Sequence, residues 1–207
     1  MKYIPIIMAT AAALTLASAC SSKSGWTSEE KEIIENQGDV MRVLTVGDKA
    51  DSLVLRTPSA EMSADEISSP IYAELARKLI ATVTSPEQDG VGIAGPQVGI
   101  LRRVVAVQRF DKEGEPFEVY PNIRISECRG ETAPGPEGCL SVPGLRGIVM
   151  RYRDIDITYT SPLMLKDTTE CVQGFTAVIF QHETDHLDGV LYIDKCTPVP
   201  DVADKDQ

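Results

Sequence analysis

The sequence predicts an α+β domain, and three observations carry this prediction. Two segments with apolar residues at helical spacing, 69–84 and 174–188, lie far apart in the chain. Between them, β-type runs or strict alternation occupy 102–109, 117–126 and 148–160. Since these segments lack the regular strand–helix–strand order of a parallel sheet, they favour an α+β domain with antiparallel strands over a parallel α/β sheet.

The first predicted helix follows a stretch, 41–55, in which short apolar runs alternate with Asp and Lys. It begins at Ser69, and Pro70 suits its first turn. Its apolar residues recur along one face: Ile71, Leu75, Leu79, Ile80 and Val83. The next segment, 90–99, holds four glycines and a proline in ten residues, too many for a regular element. We therefore predict a loop whose backbone passes close to another group.

The middle of the chain predicts strands separated by turns. The sequence DKEGE at 111–115 separates the first two strands, and 134–147 is rich in Gly and Pro, which predicts a second loop. The alternation in 148–160 predicts two strands that share a turn at Arg153–Asp154, and 168–172 predicts one more short strand.

The second helix, 174–188, is predicted to end at Gly189. Its apolar face comprises Phe175, Val178 and Ile179, and His182 continues the same face.

The composition restricts the class of partner. Of the 207 residues, 31 are acidic and 20 basic, for a formal net charge of -11. Because phosphate recognition needs clustered Lys and Arg, we expect no nucleic acid partner and no docking on the ribosome. The length suits one domain with a sizeable core.

The N-terminal segment is typical of a bacterial lipoprotein leader. One basic residue, Lys2, precedes an apolar run over 4–16, which is shorter than a membrane-spanning helix requires. The run ends in LASAC, which is similar to a lipobox, so residues 1–19 are expected to be a signal peptide and Cys20 the lipidated first residue. An ordinary signal cleaved at Ala19 and an uncleaved anchor remain alternatives.

Residues 20–40 are expected to comprise the lipidated cysteine and a linker, because SSKSG is small and polar. The segment 27–37 could form a short helix, although it offers little apolar surface. The folded domain is then expected over 41–200, and residues 201–207 are expected to form an acidic tail. These assignments predict an exported protein held on the periplasmic or outer side of a membrane, or a cytoplasmic one if the leader is not used.

The only two histidines of the chain, His182 and His186, are four residues apart in the pattern HETDH. Side chains at i and i+4 share one face of a helix, so both imidazoles can bind one cation. Glu183 is rotated by about 100° from His182 and can reach a water molecule on that cation. We therefore predict a hydrolytic metal site with Glu183 as general base.

The third ligand decides the class of enzyme. No Glu follows Glu183, and Tyr192 stands where an extended HExxHxxGxxH motif requires its third histidine. Cys139, in the upstream sequence EGCLS, would complete a Cys/His/His site with one open position. The downstream alternatives are Asp188, Asp194 and Cys196. The other cysteines, Cys128, Cys171 and Cys196, are interpreted as small apolar residues, with a disulfide possible if the protein is exported.

Three segments together resemble the signature motifs of the peptide deformylases. They are GVGIAGPQ at 90–97, EGCLS at 137–141 and QHETDHLDG at 181–189, in the order and approximate spacing of that family. The resemblance covers about residues 41–196, and it implies antiparallel strands packed around a central C-terminal helix that carries the HExxH motif. Many family members have a second alanine where Gly95 stands here.

The resemblance implies removal of the N-formyl group from N-formylmethionyl peptides, with release of formate. It implies that Cys139, His182 and His186 hold one divalent ion, with Fe(II) or Zn(II) expected and Ni(II) or Co(II) possible. Glu183 would act as the base, while the side-chain amide of Gln97 and the backbone N–H of Leu140 would stabilise the oxyanion.

The resemblance also implies a set of substrate contacts. The backbone of Val91, Gly92 and Gly138 is expected to lie against the extended peptide, and the methionine pocket is expected to use Phe175, Val178 and Ile179. Two other hypotheses remain open from the residues alone. One is an exported metallopeptidase that uses Asp194 or Cys196 as a ligand, and the other is an inactive peptide-binding lipoprotein.

Overall fold

The computed structural model describes residues 25–198. The helices are α1 (Ser28–Asn36), α2 (Lys49–Leu55), α3 (Ala64–Ile67), α4 (Pro70–Val83) and α5 (Gly174–Leu187). The strands are β1 (Gly92–Ala94), β2 (Val104–Gln108), β3 (Phe117–Pro121), β4 (Arg124–Arg129), β5 (Ala133–Cys139), β6 (Val142–Arg151), β7 (Asp154–Ser161), β8 (Lys166–Gln173) and β9 (Thr197–Pro198). Short 3-10 turns cover Gly95–Val98 and Tyr192–Asp194.

The nine strands of the described residues form three antiparallel sheets of three strands each. Their orders are β1-β2-β3, β4-β7-β8 and β5-β6-β9. Helix α5 packs on β1 and β2 of the first sheet and on β4, β7 and β8 of the second. The α+β class and the antiparallel pairing predicted from the sequence are confirmed.

Both long predicted helices form close to their predicted ends. The hydroxyl of Ser69 accepts a hydrogen bond from the backbone N–H of Tyr72, and Pro70 occupies the first helical position of α4. Helix α5 is followed by Gly189 at φ +72°, the left-handed conformation that favours glycine. A Cβ there would lie 2.6 Å from the carbonyl oxygen of Arg56, so the end of α5 requires glycine for space as well as for conformation.

The linker prediction was wrong from residue 25 onward. Thr27 and Glu30 form a capping box at the start of α1, and Ile34 is completely buried in the core formed with α4 and the first sheet. The carboxylate of Glu30 also accepts hydrogen bonds from Arg102, at 2.6 and 2.9 Å. Helix α1 has few apolar residues, but Ile34 packs against residues of α4 and the first sheet that are distant in sequence.

The loop prediction for 134–147 was also wrong. Here β5 and β6 pair as a hairpin, with a register shift between Glu137 and Cys139. Local composition disfavours a strand, but β6 supplies hydrogen-bonding partners along most of the segment. Segment 90–99 likewise holds the short strand β1 and a 3-10 turn, so only part of it is irregular.

The cysteines of the described residues, Cys128, Cys139, Cys171 and Cys196, are all free thiols. Cys128 and Cys171 are exposed, so their interpretation as buried small apolar residues was wrong, whereas Cys196 is partly buried. No helix within residues 25–198 is both long and apolar enough to cross a membrane. The predicted signal peptide, the lipidation site Cys20 and the tail 201–207 lie outside the described residues.

Candidate active site

Three potential ligand side chains meet between α5 and the end of β5. His182 and His186 lie one helical turn apart on α5, and Cys139 is the last residue of β5. One ligand atom from each residue lies within 4.8 Å of the others, and Cys139 Sγ is 3.2 Å from His186 Nε2. The structure therefore brings together the three residues that the sequence nominated as ligands.

A buried ion pair orients His182. Its Nδ1 lies 2.8 Å from Glu137 Oε2, so its other ring nitrogen is free to face Cys139 and His186. Arg151 donates to both oxygens of Glu137, at 2.7 and 3.0 Å. Burial alone would raise the pKa of Glu137, but the hydrogen bonds from His182 and Arg151 hold it at about 2. Glu137 is therefore a carboxylate that fixes the tautomer and the orientation of the imidazole.

Neither Glu137 nor Arg151 was nominated from the sequence. Glu137 stands two residues before Cys139, so the EGCLS segment contained a signal that could have identified it. Arg151 lies in β6 and has no such signal, because only the β5–β6 pairing brings it to Glu137. Arg151 also donates to Asp185 Oδ2 at 2.6 Å, which ties the hairpin to α5.

Glu183 has the properties required of a buried base. Its side chain is buried, and its Oε2 atom has no hydrogen-bond partner among the described residues. Burial raises the pKa of Glu183 to about 7, although the charge of His182 opposes the shift. A carboxylate with a pKa near neutrality can both accept and return a proton at ordinary pH.

Gln97 is held by both ends of its amide. Its Oε1 accepts the backbone N–H of Ala94 at 2.8 Å, which leaves Nε2 to donate to Ser141 Oγ at 3.2 Å and towards Cys139 Sγ at 3.6 Å. Ser141 N–H also points at Cys139 Sγ, at 3.4 Å. The amide donor of Gln97 is thus fixed next to the ligand cluster, where an oxyanion donor is needed.

A cavity of about 900 Å³ opens beside these groups. All of the residues predicted to contact substrate line it: Val91, Gly92, Gly138, Phe175, Val178 and Ile179. Leu140, Gln97, Glu183, Cys139 and His182 line it as well, whereas His186 is not among the lining residues and is buried.

The two glycines predicted to face substrate have different surroundings. A Cβ on Gly92 would lie 2.5 Å from Glu183 Oε1 and 2.8 Å from Ile179 Cγ2, so no other residue fits without moving the base. A Cβ on Gly138 would meet its nearest neighbours at 3.7 and 3.8 Å, which is ordinary contact distance. The requirement for glycine is therefore strict at Gly92 and absent, within the protein itself, at Gly138.

The apolar wall of the cavity comes from the first two turns of α5. Val178 and Ile179 are nearly buried, while Phe175 is 49% exposed and packs on Phe110 with ring centroids 5.5 Å apart. Ile179 also belongs to the core between α5 and the sheets. Ile179 therefore contributes both to the core and to the predicted pocket.

The downstream alternatives for the third ligand are all engaged elsewhere. Asp188 pairs with Arg103, and Asp194 pairs with Arg56 and accepts from the backbone N–H of Leu191 at 2.9 Å. Cys196 Sγ faces the carbonyl oxygen of Ile193 and is not part of the ligand cluster.

Tyr192 stands at the position of the third histidine in the extended HExxHxxGxxH motif, but it packs against His182 instead of binding a metal ion. Its ring stacks on His182, with centroids 6.0 Å apart, and its hydroxyl donates to the carbonyl oxygen of Leu145 at 2.8 Å. It is buried and forms a wall behind the imidazole. The substitution converts a ligand position into a packing position.

The ligand set fits a divalent transition metal. One thiol and two imidazoles are the donors that Zn(II) and Fe(II) accept, and three protein ligands leave a position for water. An orphaned polar atom supports the fit, because Glu183 Oε2 is buried without a partner within residues 25–198 and can receive a hydrogen bond from water beside the ligands. A three-ligand metal cluster with an adjacent buried base defines the site of a metal-dependent hydrolase.

Comparison with known proteins assigns the family. The polypeptide deformylase family model matches residues 40–201. A peptide deformylase of Leptospira biflexa is 33% identical over 163 residues, which cover 75% of this chain and 87% of that relative. A peptide deformylase of Symbiobacterium thermophilum is 40% identical over 130 residues, and the match spans 62% of this chain and 58% of that relative.

Solved structures agree with this assignment. A class I type b peptide deformylase from Acinetobacter baumannii, with K1U bound, is 36% identical with a TM-score of 0.67, covering 75% of this chain and 99% of that one. The enzyme from Thermotoga maritima is 31% identical with a TM-score of 0.66, covering 77% and 99%. The chain therefore belongs to the polypeptide deformylase family, metal-dependent hydrolases that remove formyl groups. The predicted family and class of reaction are confirmed.

Proposed function

We propose that this protein hydrolyses the formyl group from N-formylmethionyl peptides outside the cytoplasm, at the Cys139, His182 and His186 site. The observation that carries the proposed chemistry is the convergence of these ligands with Glu183 and Gln97 on one cavity. Two solved relatives from A. baumannii support the substrate class, since one contains actinonin and another Met-Ala-Ser.

Helix α5 acts as the central element of the fold, since it contacts strands of two sheets.

The protein's own residues account for the proton transfers. When bound, a divalent ion lowers the pKa of water and supplies hydroxide near neutral pH. Glu183, with its pKa raised by burial, accepts the proton of the attacking water. A new C–O bond forms at the formyl carbon, the C–N bond breaks, and Glu183 returns the proton to the departing amine. The products are formate and a free amino terminus.

Two donors stabilise the charge that develops on the formyl oxygen. The Nε2 group of Gln97 is already held beside Cys139, and the backbone N–H of Leu140 follows that ligand directly. Losing one such donor typically costs about 3 kcal/mol in the barrier. Gly92 lines the cavity without a side chain that would displace Glu183, and the apolar groups of Phe175, Val178 and Ile179 suit a methionine side chain.

We further propose that the ion is Fe(II) or Zn(II), with Ni(II) and Co(II) as alternatives, because a Cys/His/His set accepts each of them. Zn(II) suits an exported enzyme best, because it has no redox chemistry. The leader over 1–19 and the LASAC sequence support export and lipidation at Cys20. The net charge of -11 supports the absence of a nucleic acid or ribosome partner.

Formate release from a formyl-Met-Ala-Ser peptide tests this function. We expect turnover by the metal-loaded protein, loss of activity on treatment with a chelator, and recovery on return of Zn(II) or Fe(II). Glu183→Gln should keep its metal and lose about 100-fold or more in kcat, since the base is removed. Formate release that is undetectable with the metal loaded would refute the proposal.

The ligand assignment has its own test. Cys139→Ala should lose most of its affinity for the ion, whereas Cys196→Ala should bind it as the parent protein does. Full affinity in Cys139→Ala, measured by elemental analysis and chelator competition, would instead favour the metallopeptidase hypothesis. The buried and unpartnered Glu183 argues against the inactive lipoprotein, since an inert binding site gains nothing from that desolvated carboxylate.

A further inference from the structure

The turn between β7 and β8 exposes a run of apolar side chains. Leu163 is 96% exposed, Met164 59% and Leu165 38%, and Pro162 beside them is also exposed. We call residues 162–165 the hairpin tip. A run of consecutive exposed apolar residues is costly in water and indicates a surface that is covered in use.

The hairpin tip is well defined, and turn chemistry does not explain its apolar sequence. The backbone N–H of Leu165 donates to the carbonyl oxygen of Ser161 at 2.7 Å, and that of Met164 donates to Ser161 Oγ at 3.3 Å. Leu165 has φ +52°, a conformation for which Gly, Asn or Asp is the favourable choice. Polar turn residues would therefore suit the backbone better, so the leucine and methionine must be explained by what they contact.

A short series of contacts connects the hairpin tip to the residues where the described chain begins. The backbone N–H of Gly25 donates to Glu66, and Glu66 caps α3 together with Ser63. Met62 precedes Ser63 and is held by the side chain of Asn122. The backbone N–H of Met62 donates to Asn122 Oδ1 at 2.7 Å, and Asn122 Nδ2 donates to the carbonyl oxygen of Met62 at 2.8 Å.

Asn122 completes this path to the hairpin. It donates to Thr160 Oγ1 at 3.1 Å, and Thr160 lies two residues before the hairpin tip, paired with Asp167 on β8. A continuous series of direct contacts therefore joins the start of the described chain to the hairpin tip.

The chain that precedes Gly25 places a membrane close to this end. The apolar run over 4–16 and Cys20 come first, and only Ser21–Ser24 separate Cys20 from Gly25. The five Cα–Cα steps from Cys20 to Gly25 span at most about 18 Å even when the chain is fully extended. Any anchor at Cys20 must therefore hold this end of the domain near the bilayer.

We propose that the hairpin tip inserts Leu163, Met164 and Leu165 into the lipid bilayer to which the leader attaches the chain. The inference rests on the membrane attachment proposed above, and it adds a second, non-covalent contact to it. The flanking Lys166 is exposed and can reach the head groups while its stem stays among apolar groups.

The same geometry sets the position of the active site. The β7–β8 ladder runs from Ser161–Lys166 at the tip to Asp154–Gln173 at the far end, a distance of about 24 Å for seven steps. Phe175, in the cavity wall, follows that far end directly. Two membrane contacts at one end would hold the cavity away from the surface, where soluble formyl-peptides can enter.

Fluorescence quenching in vesicles tests this contact. The full chain, extracted from membranes of the producing cells, is reconstituted in phosphatidylcholine vesicles that contain brominated acyl chains. Neutral lipid is chosen because the protein is strongly acidic. Leu163→Trp places a fluorescent reporter at the tip, and Phe175→Trp is the matched control at the far end of the same hairpin. Trp26, the single native tryptophan, contributes the same background fluorescence to both variants.

We expect the emission of Leu163→Trp to shift to the blue and to be quenched several-fold more strongly than that of Phe175→Trp. Met164→Trp provides a second reporter if the first variant does not fold. Equal quenching of the tip and control reporters would overturn the proposal, and so would recovery of the full chain only in the soluble fraction. A blue shift without lipid that grows with protein concentration would indicate a second copy of this chain on the tip and would also refute it.

The deformylase proposal is tested separately in the same preparations. The variant L163S/M164S should release formate from a soluble formyl-Met-Ala-Ser peptide at the parent rate, because the tip is remote from the cavity. Formate release without tip quenching would leave the enzyme intact and reject the membrane contact. Tip quenching without formate release would reject the enzyme and retain the contact.

Discussion

Two glycine-rich segments, 90–99 and 134–147, form walls of the same cavity, yet they use glycine for different reasons. In the first, Cβ atoms on Gly92 or Gly95 would lie within 3 Å of neighbouring groups. In the second, Gly138 meets nothing closer than 3.7 Å, and Gly144 lies in a turn at φ +78° with nothing nearby. Among the glycines that line the cavity, Gly90 and Gly92 are therefore closely packed, whereas Gly138 and Gly144 have open space or turn geometry.

The largest effect is expected from Gly92→Ala. The added methyl group must displace the carboxylate of Glu183 or the side chain of Ile179, since it would lie 2.5 and 2.8 Å from their atoms. A base moved by about 1 Å can lose about 100-fold in rate. We expect kcat/KM for formate release to fall by about this factor while metal content is unchanged. Activity above half of the parent value would show that the first wall is less tight than the distances indicate.

Glu137→Gln tests how the second wall supports the metal ligands. The substitution removes the charge that orients His182 and pairs with Arg151. Metal affinity, measured by chelator competition, should fall by about 10- to 100-fold. Asp185→Asn is the matched control, because it removes a partner of Arg151 without touching His182. Equal losses of metal affinity in both variants would show that the loss arises through Arg151 and not through the orientation of the His182 imidazole.

Gly95→Ala separates packing from catalysis within the first wall. Its Cβ would lie 2.6 Å from the carbonyl oxygen of Ile100 and 2.8 Å from that of Arg102, both backbone atoms. We expect the free energy of unfolding to fall by about 1–3 kcal/mol in urea titrations. Gly38→Ala, with nothing within 4 Å, should change it by less than about 0.5 kcal/mol. A Gly95→Ala variant as stable as the parent would mean that this turn relaxes without cost.

The smallest effect is expected from Gly138→Ala. The protein has room for the methyl group, so stability and metal content should match the parent. Because Gly138 lines the cavity, the methyl group should compete only with the peptide and raise KM a few-fold at unchanged kcat. A fall in kcat as large as that of Gly92→Ala would remove the distinction between the two walls.

Much of the fold was predictable because its signals are local. The long helices α4 and α5 follow from apolar spacing, Pro70 and Gly189, and the end of β6 and β7 follow from alternation. The errors occurred where long-range pairing overrides composition. The Gly/Pro-rich strand β5 exists because β6 supplies its hydrogen bonds, and α1 is ordered because α4 and Arg102 provide its partners.

The sequence by itself determined the two-histidine pair and its base, because four residues of helix place His182 and His186 on one face whatever surrounds them. It also nominated Cys139 and Gln97 through their motifs. Only the tertiary structure decided that Cys139, not Asp194 or Cys196, lies at this pair, and that Glu137 and Arg151 orient it. Those contacts join residues far apart in the chain, so they depend on strand register and packing, which no local pattern encodes.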